Sequence, residues 1–186
     1  MIRQAVAIVL LITLTAQTVR RTPPAVPFVR SLTFAGYRFR ILSGKASGVG
    51  GQFAEVEATR GSLLLTQFRV PVVGDIVGAS VADLDHNRFP ELYIFTQATG
   101  SGSLGFVQGW QFLPQRRAAV TAAGWERPAT GYMGHDSLWT ENGVLCRRFP
   151  HYNPGDANAY PTGGMQMARY QLVADGQNYR LSEQKR

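Results

Sequence analysis

At 186 residues, with 45% hydrophobic content and a formal net charge of +7, the chain is long enough for one domain with a proper core and short for two. The basic balance makes nucleic acid the first partner class to test, but no helix-turn-helix, zinc-ligand spacing or aromatic stacking motif is present. The positive residues, nearly all arginine, instead suit electrostatic attachment to an anionic envelope polymer.

The N-terminus, "MIRQAVAIVLLITLTAQTVRRTPPAVP", sets Arg3 before an apolar stretch from Ala5 to Leu14, with the small Ala16 at a cleavage point. Residues 1–16 therefore read as a secretory signal peptide, and the mature chain is expected in the periplasm or outside the cell. The apolar stretch is about half of what a bilayer span requires, which disfavours stable membrane insertion. No cysteine follows it to carry a lipid. The Pro-rich segment 17–30 reads as an extended linker, and 31–186 as a single β-domain.

From residue 37 onward the chain is a succession of short runs rich in β-branched and aromatic residues, bounded by Gly, Pro, Asn or Asp. "YRFRIL", "FAEVEAT", "SLLLTQFRV", "DIVGASVAD", "ELYIFTQ", "FVQGWQF", "SLWT", "VLCRRF", "MQMARYQLV" and "NYRLSEQ" are the expected strands. Only "PQRRAAVTAAGW", with its alanines, suits a helical turn or two. Asn142-Gly143 and Asp175-Gly176 are hairpin signals, because type I′ turns need positive φ at both central residues. Strands at this spacing without helical crossovers predict an all-β, antiparallel sandwich of roughly eight to ten strands. The lone Cys146 rules out an intramolecular disulfide and reads as a small core residue. An exposed sheet edge could pair two copies.

Three segments carry candidate chemistry. In "DLDHNRFPEL", Asp83, Asp85, Asn87 and Glu91 stand at alternating offsets, resembling the oxygen-rich loops that bind Ca²⁺, with Arg88 where the turn glycine usually stands. The other reading of this segment is a β-turn whose Asp and Asn side chains satisfy their own backbone. The histidines His86, His135 and His151 have no zinc-like spacing, and neither a nucleophile elbow nor a phosphate loop is present. "GHDS" does not make a triad, since adjacent residues on a strand face opposite ways. Neither enzymatic activity nor a cofactor is therefore expected.

The third segment is "TGSGSLGF", Thr99 to Phe106, a small polar connection between two strands. It is either a plain hairpin turn or a slender finger whose backbone fits a narrow site. A narrow site lined by carboxylates would favour a loop that is thin and that offers hydroxyls and backbone N–H groups. Here the glycines allow close approach, and Ser101 and Ser103 supply hydroxyls.

"DLDHNRFPELYIFTQATGSGSLGFV", followed by "GYMGHDSLWTENGVLCRRFPHYNPGDANAYPTGGMQMARYQLV", resembles the family of periplasmic inhibitors of invertebrate-type (I-type) lysozyme, the PliI-like family. The resemblance runs from about Asp75 to Val173. It implies an exported β-sandwich that blocks the enzyme with a Ser-Gly-x-Tyr loop and so protects peptidoglycan. Ser101, Gly102 and Ser103 match that motif, and Leu104 stands in place of its tyrosine. Leucine keeps apolar contact but lacks the hydroxyl. Gly105, Tyr132, His135 and Tyr152 are the accompanying candidate contacts, with Tyr160 on the same irregular stretch as Tyr152. Two other roles remain open: an envelope glycan-binding module, and a Ca²⁺-stabilised structural β-domain without inhibitory activity.

Overall fold

Alternation of apolar and polar residues becomes strand after strand in the computed structural model, which describes residues 27–45, 51–125 and 128–184. The signal segment, the linker up to residue 26 and the C-terminal Lys185 and Arg186 lie outside these residues. The described residues form twelve strands in two sheets. The first is an antiparallel meander of β1 (Val29–Phe34), β2 (Tyr37–Lys45), β3 (Gln52–Arg60) and β4 (Leu63–Val72). β1 starts inside the segment read as linker, because Val29 to Phe34 pair in unbroken register with Leu42 to Tyr37.

The second sheet comprises β5 (Asp75–Ala82), β6 (Glu91–Gln97), β7 (Gly105–Leu113), β8 (Arg116–Thr121), β9 (Ser137–Glu141), β10 (Val144–Pro150), β11 (Met165–Asp175) and β12 (Asn178–Glu183). Its spatial order is β5-β6-β7-β8-β12-β11-β10-β9. The sheet curls until its outer strands face each other, where the hydroxyls of Ser80 on β5 and Thr140 on β9 hydrogen-bond. The chain is thus an all-β sandwich with one layer rolled almost into a barrel.

β8 corrects the helical expectation for "PQRRAAVTAAGW". Its alanines have helical propensity, but ladders on both flanks override it: β8 pairs antiparallel with β7 and parallel with β12, Val120 opposite Tyr179. That parallel pair makes the second sheet mixed within an otherwise antiparallel sandwich. Asn142 and Gly143 take φ of 48° and 73°, the type I′ pattern. In the other hairpin Asp175 pairs with Asn178, so the central residues are Gly176 and Gln177. Gly176 has φ 60°, the single left-handed first position of a type II′ turn.

Two cores result, and β6 belongs to both. Leu92 and Ile94 join Phe39, Ile41, Val56 and Phe112 between the layers, while Tyr93 and Phe95 join Leu145, Tyr170 and Leu172 inside the roll. Burial on both faces explains why "ELYIF" is apolar without alternation. Cys146 is a free, buried thiol of β10. The basic residues of "YRFRILSGK" alternate outward on β2, where Arg40 stands across from Glu57. Because the rolled strands alternate in direction along β5 to β8 and β9 to β12, connections 98–104, 122–136 and 151–164 gather at one end, and 83–90 at the other.

Candidate functional site

At the first end the Thr99 connection is a closed turn. Ala98 N–H donates to Leu104 O at 2.8 Å and Ser103 N–H to Gly100 O at 3.0 Å, with Ser103 at φ 43°. Neighbouring connections then clamp it. His135 N–H donates to Gly102 O at 2.8 Å, and Asn158 Nδ2 to Ser101 O at 2.8 Å. Gly105 N–H donates to Asp136 Oδ2 at 2.7 Å. Tyr152 N–H donates to Gly131 O at 2.9 Å, which ties the 130s to the 150s. The backbone of the loop is therefore tied at Ser101, Gly102 and Gly105 to the connections beside it.

Beneath the loops lies a buried charge. The side chains of Arg147 and Asp136 are both fully buried and paired, Nε to Oδ1 at 2.6 Å. Arg147 also donates to Trp125 O at 2.5 Å and to the Tyr132 hydroxyl at 2.7 Å. Tyr132 in turn donates to Asp136 Oδ2 at 2.6 Å. The guanidinium lies 4.4 Å from the Trp125 ring centroid and 4.8 Å from that of Tyr132. Burial pulls the Arg147 pKa down, but hydrogen bonding and attraction to Asp136 more than offset it, so the charge is retained. Burial, then the bond to Asp136, pushes the Tyr132 phenol up.

All eight residues singled out in the sequence, Ser101, Gly102, Ser103, Leu104, Gly105, Tyr132, His135 and Tyr152, stand at this end, in different roles. Ser101 and Leu104 are exposed, and Gly102, Ser103, Tyr132 and His135 are half-buried. Gly105 is buried, its carbonyl taken by Trp125 Nε1 at 2.8 Å. Tyr152 is not a rim contact: it is 4% exposed and its hydroxyl donates to Asn158 O at 2.9 Å. Tyr160, 77% exposed, is the open tyrosine of that connection. Met133, whose backbone carbonyl lies against Gly102, is 43% exposed and adds apolar surface at this end. Met133, Asn158 and Arg147 were missed in the sequence, and no local pattern marks them. His135 Nε2 sits 3.3 Å from Asn158 Oδ1 and His151 Nδ1 3.0 Å from Gln166 Nε2, while the exposed His86 belongs to the opposite end.

At that opposite end the β5–β6 connection brings together oxygens of Asp83, Asp85 and Glu91 within 4.8 Å of one another. Burial, partly offset by the Leu84 N–H, raises the Glu91 carboxyl from 4.5 to about 9, and burial also raises Asp85. A carboxyl with a raised folded pKa binds more protons folded than unfolded, so its contribution is full below about 4.5 and is lost as pH rises to about 9. In cation-free buffer, urea unfolding is expected to show stability falling as pH rises across this window. Glu91→Gln is expected to flatten the slope; an unchanged slope would remove Glu91 as its source.

No protein-family model, curated protein or solved structure matches the chain. Among the described residues, no helix is long and apolar enough to cross a membrane.

Proposed function

We propose that the clamped loop end is a protein-docking surface, and that the chain is an exported inhibitor of lysozyme, the I-type enzyme first, which occludes the substrate groove with loop 99–105. The observation that carries this reading is the prior immobilisation of the loop. Bonds from His135, Asn158 and Asp136 fix its backbone yet leave Ser101 and Leu104 exposed at the surface. A slender loop with hydroxyls suits a groove lined by carboxylates, and exposed Leu104 and Met133 add apolar surface at the same end. The inhibitor acts by occlusion, without chemistry on a substrate. Its positive charge favours an acidic or neutral target, since a basic lysozyme would be repelled at long range.

The test is lysis of peptidoglycan by I-type, chicken-type and goose-type lysozymes with the protein added at low and moderate salt. Selective inhibition of the I-type enzyme is expected, weakened at least about tenfold by Leu104→Asp, which sets a negative charge against the carboxylates of the groove, at little change in stability because Leu104 is exposed. Gly102→Trp is not a clean probe, since a Cβ there stands 2.8 Å from Met133 O. Absence of inhibition of all three enzymes would overturn the proposal. Salt-sensitive binding to peptidoglycan itself would then put the glycan-binding role first.

A further inference from the structure

We propose that the connection between β5 and β6 is a divalent-cation site of calcium chemistry, with Asp83, Asp85 and Glu91 as its protein ligands. The site lies at the opposite end of the rolled sheet from the docking loops and is independent of them.

Two of the three carboxylates are used in the same divided way. Asp83 Oδ2 accepts from Arg88 N–H at 3.0 Å, and Glu91 Oε2 accepts from Leu84 N–H at 2.7 Å. Their sister oxygens, Asp83 Oδ1 and Glu91 Oε1, are buried and have no hydrogen-bond partner. Glu91 is a strand residue with no exposed surface, reaching into the loop from β6. Across the ladder from it stands Gln111, equally buried. Gln111 Nε2 donates to Asn87 Oδ1 at 3.2 Å and to Phe89 O at 3.1 Å, which leaves its own Oε1 unpartnered. Buried oxygens are ordinarily paired, and buried carboxylates are paired with cations or coordinate metals. The ion pairs among the described residues are Arg69–Glu55 and Arg147–Asp136, and neither involves this cluster.

The geometry suits one ion. Calcium takes oxygen ligands at about 2.3–2.6 Å, so opposite donors of its shell stand about 4.6–5.2 Å apart. The oxygens of Asp83, Asp85 and Glu91 lie within 4.8 Å of one another. Asp83 and Asp85 are half-exposed, which gives the ion a route in and leaves room for water to complete the shell. Arg88 does not obstruct the turn, because it adopts the left-handed φ of 71° that glycine would supply, and its side chain is exposed. Asn87, the fourth residue of the sequence pattern, is left out of this ligand set because its polar atoms are already engaged. Its Oδ1 accepts from Phe89 N–H at 2.8 Å as well as from Gln111, and its Nδ2 donates to Asp85 Oδ2 at 2.8 Å. It orients Asp85 instead.

The competing occupant is a proton, held by Glu91 among the clustered carboxyls. The experiment therefore uses the full chain, freed of metal with a chelator, and follows thermal unfolding and calorimetric titration with calcium chloride, then with magnesium chloride. Calcium is expected to bind one ion per chain and to raise Tm by roughly 5–10 °C at about a hundred times Kd. Asp85→Asn, at a half-exposed position, and Glu91→Gln, which keeps an acceptor for Leu84 N–H, are each expected to fold and to lose the shift. No saturable response at about 10 mM calcium, or one that survives both substitutions, overturns the site in favour of the proton. An equal response to magnesium overturns the assignment to calcium.

Discussion

Arg147→Met is expected to cost about 3–5 kcal/mol of stability, because it leaves the fully buried Asp136 without its counter-charge. Methionine fills the stem of the arginine, so packing loss is small and the electrostatic part dominates. Three donated bonds vanish together, to Asp136, the Trp125 carbonyl and the Tyr132 hydroxyl. Urea unfolding of three proteins separates the causes. The double variant Arg147→Met/Asp136→Asn removes both charges while keeping an acceptor for Gly105 N–H, and is expected to be more stable than Arg147→Met alone. A double variant no better than the single one would show that the methionine simply packs badly. The change also reaches the surface, since Asp136 is the group that anchors Gly105 at the end of the 98–104 connection.

Gly134→Ala is the second large effect, expected at about 2–4 kcal/mol. Gly134 has φ 101°, and a Cβ there would stand 1.9 Å from Gly102 O and 3.3 Å from Leu104 Cδ2. The obstructing atom is backbone, so relief requires the 98–104 connection to move away from the 130s. The His135 N–H to Gly102 O bond is made at the same contact and is expected to break with it. Under the proposed inhibitory role, the inhibition assay should then show at least about tenfold weakening, through loss of loop order. Gly100→Ala is the control: it sits in the same turn, has open space around its Cβ, and is expected to be near neutral. Equal stability of the two variants would mean that the loop contact is soft.

Strands were readable in this chain where a core-facing residue alternates with an outward polar one, as in "YRFRIL", where Tyr37, Phe39 and Ile41 turn inward and Arg38 and Arg40 outward. β8 was not, because Ala118 and Ala119 carry no strand preference of their own and are held by neighbours distant in sequence. β1 hid behind the prolines that precede it. The candidate loop residues were legible as small and polar, but their meeting was not, for it depends on strand order: β10 reaches β11 and β9, and only then do residues 101, 135 and 158 become neighbours. Arg147 was the least legible of all. In "VLCRRF" it is indistinguishable from the exposed Arg148 beside it, and only the alternation of the strand, with Asp136 inside the roll, makes one arginine structural and the other superficial.

β6 is walled on one side by the meander sheet and on the other by the interior of the roll. Neither layer can peel away without uncovering it: losing the meander bares Leu92 and Ile94, and opening the roll bares Tyr93 and Phe95. The two layers are thus joined like leaves on a common spine and are expected to melt as one cooperative unit. The 98–104 turn and the acidic connection hang from opposite ends of that same spine, so each is seated on the strand that both cores cover.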